Sequence, residues 1–78
     1  MNQFIELTMP HGTKFLANVS RINSLINMKG DGSNNNTYIT GLDNTRGFYV
    51  KESYDDILDT LNNYKGLNTP IIKIQSHT

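Results

Sequence analysis

The chain opens on a strict alternation. In residues 3–9, QFIELTM, the side chains of Ile5, Leu7 and Met9 fall on one face and those of Glu6 and Thr8 on the other, with Phe4 at the rim. A period of two among β-favouring residues predicts a half-buried strand. Pro10-His11-Gly12 punctuates it, and residues 13–19, TKFLANV, alternate again with Phe15, Ala17 and Val19 together. Two alternating runs around a short Pro-Gly turn predict a β-hairpin. Residues 20–23, SRIN, fit one helical turn or a bend. Leu25, Ile26 and Met28 then mark a third strand over residues 24–29. GDGSNNN, residues 30–36, has no apolar residue and reads as an exposed loop. Strand patterning resumes over 37–43, TYITGLD, where Tyr38 and Ile39 stand out. After the Asn44-Thr45-Arg46-Gly47 turn it resumes over 47–52, where Phe48 and Val50 share one face and Tyr49 and Lys51 the other.

At Ser53 the period changes. Tyr54, Ile57, Leu58, Leu61 and Tyr64 follow i, i+3, i+4, i+7 spacing, which predicts a helix over 53–65 with an apolar stripe facing a core. Ser53 suits the N-cap, Asp56 stands three residues later as a capping-box partner, and Gly66 suits the position after the helix. The acidic residues sit near the start of the helix and Lys65 at its end, as the helix dipole favours. Ile71, Ile72 and Ile74 then predict a last strand over 71–75, paired within the sheet or with a second subunit. The expected architecture is α+β: one domain over 1–78, with five or six short strands in a twisted antiparallel sheet, barrel-like in one version, and one helix packed on it.

Composition narrows the function. Of 78 residues, seven are basic and seven acidic, and none is cysteine. A strongly basic nucleic-acid module is not suggested, and a disulfide framework or thiolate metal site is ruled out. No apolar run approaches the ~20 residues of a membrane span. MNQFIELT lacks the basic and apolar regions of a signal peptide, so the expected location is the cytoplasm of a bacterial cell or a phage-infected host. Hydrophobic residues make up 36% of the chain. A core of this size rarely supplies more than ~3–5 kcal/mol, and small scaffolds are commonly stapled by disulfides, metal or association. With the first excluded and the second unsupported, a homo-oligomer is expected, against a marginal monomer as the plainer alternative.

Candidate chemistry is sparse. Asp31, Ser33 and Asn35 match the first three ligand positions of a calcium loop, but Asn36 and Leu42 stand where glycine and glutamate are needed. Gly30-Asp31-Gly32-Ser33 lacks phosphate-loop spacing. His11 and His77 have no partner at metal-ligand spacing. Glu52, Asp55, Asp56 and Asp59 could be paired carboxylates, but their place around a helix start favours a structural role. No catalytic constellation, metal or cofactor is called for. The candidate binding residues are Tyr38, Arg46, Tyr49 and Lys51, expected on one solvent face of the 37–51 hairpin, with Asn34 and Asn35 in the polar loop. Tyrosine and arginine are common anchors of protein interfaces. The same residues could stack and neutralise single-stranded nucleic acid, which the zero net charge disfavours.

Several of these signals occur together. Ile5, Leu7 and Thr8 open the chain, Gly12 turns it before Phe15 and Asn18, and Val50, Glu52 and Ser53 join the last hairpin strand to the helix. This order over residues 4–61 resembles the FlbD-like family of small flagellar-operon, or swarming-motility accessory, proteins; similar short proteins occur in phage and mobile elements. The resemblance implies a non-catalytic accessory protein linked to motility. The loop over 30–36 is longer than the family's compact hairpin, and the 67–78 extension is rich in isoleucine where charge is usual. The strand–strand–strand–helix order is also similar to LytTR-type DNA-binding domains, which need a basic face. The primary expectation is therefore a self-associating interaction module, accessory to a larger bacterial or phage assembly, with an unknown protein partner. The alternative is a phage-type protein that sequesters a nucleotide-like signal between subunits, with Arg46 against phosphate and the loop asparagines as donors and acceptors.

Overall fold

The computed structural model describes residues 2–29 and 36–74. The elements are β1 (Phe4–Thr8), β2 (Lys14–Asn18), a 3-10 turn (Val19–Arg21), β3 (Ser24–Asn27), β4 (Thr37–Thr40), β5 (Phe48–Val50), α1 (Tyr54–Tyr64) and β6 (Ile71–Lys73). The fold is α+β, with six short strands and one helix among the described residues, as the two periodicities predict. The strands divide into two three-stranded sheets, ordered β2-β1-β6 and β3-β4-β5. Among the described residues these sheets stay open, and no barrel closes.

Pairing is antiparallel between β1 and β2, β3 and β4, and β4 and β5. The last strand departs from the expected antiparallel sheet: β6 lies parallel to β1, with Ile5 beside Ile72. Gln3 explains the direction. Its side-chain amide, in a residue only 8% exposed, reaches the backbone of residues 64–69 just after the helix. The Phe4 N–H donates to the Pro70 carbonyl at 2.9 Å. The returning chain is thus delivered to the starting end of β1 and runs alongside it.

Alternation places Ile5 and Leu7 of β1, Ala17 of β2 and Ile72 of β6 in the core with Ile39 of β4, Val50 of β5 and Ile57 of α1. Burying each such large aliphatic side chain contributes about 1.5–3 kcal/mol. The helix is rotated from the expected stripe. Ile57, Thr60 and Leu61 turn inward, while Leu58 is 37% and Tyr64 40% exposed. One turn of helix offers the core only about a third of its circumference, and Leu58, next to Ile57 in sequence, lies about 100° around from it. Ser53 is the N-cap, its Oγ accepting from the Asp56 N–H at 3.1 Å.

Glu52 ties the sheets together. Its Oε1 accepts from the Thr8 N–H at 2.8 Å and its Oε2 from the Thr8 hydroxyl at 2.7 Å. The Lys51 N–H donates to the Thr8 carbonyl, and the Thr37 hydroxyl to the Glu52 carbonyl. The acidic group at the helix start thus has a structural member whose partner is on another strand. Glu52→Ala strips two acceptors from the end of β1. Since hydrogen bonds to charged groups are worth about 1.5–3 kcal/mol, a loss of about 2 kcal/mol is expected in urea unfolding, and Thr8→Val in the same background should add little further loss.

Candidate interaction surface

The register of the second sheet builds one outward row. Ile26 pairs with Tyr38, and Tyr38 with Tyr49, so three strands present these side chains side by side. The alternate row, Leu25, Ile39 and Phe48, turns toward the core. The two tyrosine rings lie 4.7 Å apart, tilted by 56°. That is a favourable aromatic geometry worth about 0.5–1.5 kcal/mol beyond burial. The Tyr38 hydroxyl accepts from the Gly47 N–H at 3.1 Å. The ring lies so close to that backbone that a Cβ on residue 47 would stand 2.5 Å from Tyr38 Cζ, so only glycine lets Tyr38 lie flat there. Ser24 and Thr40 share a hydroxyl–hydroxyl bond on the same outward face. Ile26 remains 45% and Tyr49 41% exposed.

Of the four candidates expected on one solvent face, the structure brings together Tyr38 and Tyr49. Arg46 precedes β5 and follows the other row: its guanidinium carbon lies 5.0 Å from the centre of the Phe48 ring. It lines a groove of about 320 Å³ with Met9, Pro10, His11 and Tyr49. Lys51 is elsewhere, in a groove of about 410 Å³ with Thr8, Lys14, Asn36 and Glu52. The strand ends at Val50, and the bonds to Thr8 bend the chain away, so alternation no longer aims Lys51 beside Tyr49. Asn34 and Asn35 lie outside the described residues, as do His77 and most of the loop weighed for calcium and phosphate. Of the nucleotide-binding set, Arg46 alone is described.

A third groove has no counterpart in the sequence pattern. It measures about 280 Å³, and Phe4, Met9, Phe15, Leu42 and Phe48 give it an apolar floor, with Arg21 and Asp43 at its rim. The rings of Phe15 and Phe48 are 6.2 Å apart. Met9 and Phe48 also line the groove that holds Arg46, which sets the two side by side. Asp43 accepts from the backbone N–H and the hydroxyl of Thr45, both at 2.9 Å. These bonds, assisted by the charges of Arg46 and Arg21, hold its carboxyl below the ordinary aspartate range. Alternation alone puts Phe15 and Phe48 on buried faces, which conceals the groove: both are only half-buried.

Among the described residues no group of three or more His, Cys, Asp or Glu could hold a metal ion, and no helix is long and apolar enough to cross a membrane. Comparison of the chain with protein-family models, with curated proteins and with solved structures gave no match.

Proposed function

We propose that this chain is a small non-catalytic interaction module that self-associates and acts as an accessory to a larger bacterial or phage assembly. The observation that carries the reading is the half-exposed Ile26–Tyr38–Tyr49 row, set in register across a whole sheet. Tyrosine supplies large contact area at low conformational cost, and its hydroxyl tolerates either water or a partner. Two copies meeting row to row would extend the core outward, which suits a chain with eight buried hydrophobic residues among those described. The accessory role rests on the FlbD-like resemblance. Its residues Thr8, Glu52 and Ser53 hold the β1 end and the helix start, and they leave the tyrosine face free for contact.

Size-exclusion chromatography with light scattering tests the association. The expected mass is a multiple of the 8.8 kDa chain, with a melting temperature that rises with protein concentration. The double variant Ile26→Ser, Tyr49→Ser should stay folded and lose association at least tenfold. A wild-type monomer with a high, concentration-independent melting temperature would overturn the reading.

A further inference from the structure

We infer that the chain carries a second, head-to-tail contact: the Phe15–Phe48 groove of one copy receives the exposed face of α1 from another. Its floor and the helix face lie outside the tyrosine row, and Tyr49 alone borders both, through the groove that holds Arg46.

The groove sets the chemistry of its occupant. At about 280 Å³ it falls just under the ~300–1,000 Å³ typical of small-molecule sites. It is open and floored by apolar side chains, which suits one or two protruding apolar side chains of a protein. Its lining includes Arg21, and Arg46 stands over Phe48 in the neighbouring groove. Among the described residues Asp43 is the one carboxylate lining either groove, and it is already engaged by the N–H and hydroxyl of Thr45. Two guanidinium groups against one engaged carboxylate favour an anionic rim on whatever docks. The fitting occupant is an apolar knob flanked by carboxylates.

The chain itself presents that pattern. The helix 54–64 contains three aspartates and no lysine or arginine. Asp55, Leu58 and Asp59 follow i, i+3, i+4 spacing, so they lie on one face. All three are exposed, and Leu58 is 37% open to water. The helix cannot serve its own groove, because it packs toward β3 and β6 through its other face while the groove lies among residues 4–21 and 42–48. A second copy meets no such restriction. Groove and helix are different surfaces, so the contact is heterologous and propagates into a ring or a filament. Joined to a row-to-row contact, it yields assemblies larger than a dimer.

Complementary mixing tests it in an Ile26→Gln background, where a neutral polar side chain disrupts the row and Tyr49, which lines the Arg46 groove, is kept. There the parent should still associate in low salt, and weaken at least tenfold in about 1 M salt, where screening acts within ~3 Å. Arg46→Glu spoils the groove and Leu58→Glu spoils the helix face, and the two spoiled surfaces, both acidic, repel each other. Each alone should be monomeric with unchanged far-ultraviolet circular dichroism. An equimolar mixture should form a complex of two chains and no more, because one good groove and one good helix remain. A monomeric parent in this background, single variants that associate as the parent does, or a mixture that stays monomeric would each overturn the inference. An effect of the row variants on wild-type association is a separate readout, so the two contacts can fail separately.

Discussion

Replacing Gly41 with alanine should lower the unfolding free energy by about 4 kcal/mol or more, near the whole stability a core this small supplies. Gly41 has φ +105°, a backbone conformation that costs other L-residues about 1–2 kcal/mol. Crowding adds the rest. A Cβ at this position would overlap the Arg21 carbonyl oxygen and lie 2.6 Å from the Asn23 nitrogen. Both are backbone atoms, so no side-chain rotation relieves the overlap. The Asn23 N–H is also bonded to the Thr40 carbonyl at 2.8 Å, so moving it breaks the start of the β3–β4 ladder. Gly12 supplies the control. Its φ is +103°, and nothing lies within 4 Å of where an alanine methyl would stand, so Gly12→Ala should cost only about 1–2 kcal/mol. Urea unfolding of both variants measures the difference, and equal losses would show that crowding at Gly41 contributes nothing.

The second large effect is expected at Gln3. Its Nε2 faces the carbonyls of Tyr64 at 2.9 Å and of Leu67 and Thr69 at 3.0 Å, while its Oε1 accepts from the Gly66 N–H at 2.9 Å. Two amide hydrogens thus serve three acceptors, and the fourth contact closes the turn after α1. Gln3→Leu removes all four bonds, and of these groups the Tyr64 carbonyl keeps another partner, the Leu67 N–H at 3.1 Å. With about 1–3 kcal/mol lost for a buried polar group left unsatisfied, the expected cost is about 3 kcal/mol, accompanied by faster hydrogen exchange at Gly66. Gln3→Glu separates charge from shape. An ionised carboxylate would face three carbonyl oxygens in a buried place, so its folded pKa would rise above the unfolded value of about 4.3. Below that value the side chain is protonated in both states and stability is greatest. As pH rises through the raised folded pKa, the unfolded chain ionises first and stability falls. The variant should therefore melt higher near pH 4 than near pH 7, and a flat profile would contradict the placement of the amide.

The contrast between these residues marks what local sequence pattern can reveal. Ile5 and Leu7, Phe15 and Ala17, and Phe48 and Val50 announce their strands because each sits two residues from a like neighbour. Ser53 and the Ile57–Leu61 spacing announce the helix in the same way. Gln3 carries no such signal: a polar residue ahead of a strand looks solvated, and its four partners lie more than sixty positions away. The split into two sheets and the parallel course of β6 are hidden for the same reason, since alternation fixes faces and says nothing of which strand lies beside which. At the candidate surface, the pairing of Tyr38 with Tyr49 follows from the hairpin register. The departure of Arg46 toward Phe48 and of Lys51 toward Thr8 depends on contacts outside that hairpin.

The parallel pairing of β1 with β6 also bears on how the molecule is made. Ile5 and Ile72 stand almost a full chain apart in sequence yet side by side in the sheet. A ribosome therefore releases the β1–β2 hairpin well before the residues that cover its other edge exist. Until Ile71–Lys73 arrive, that edge exposes a row of unused backbone donors and acceptors beside Ile5. Long-range closure of this kind is slow, so the nascent protein stays open to its neighbours along that edge until β6 has been made and has docked.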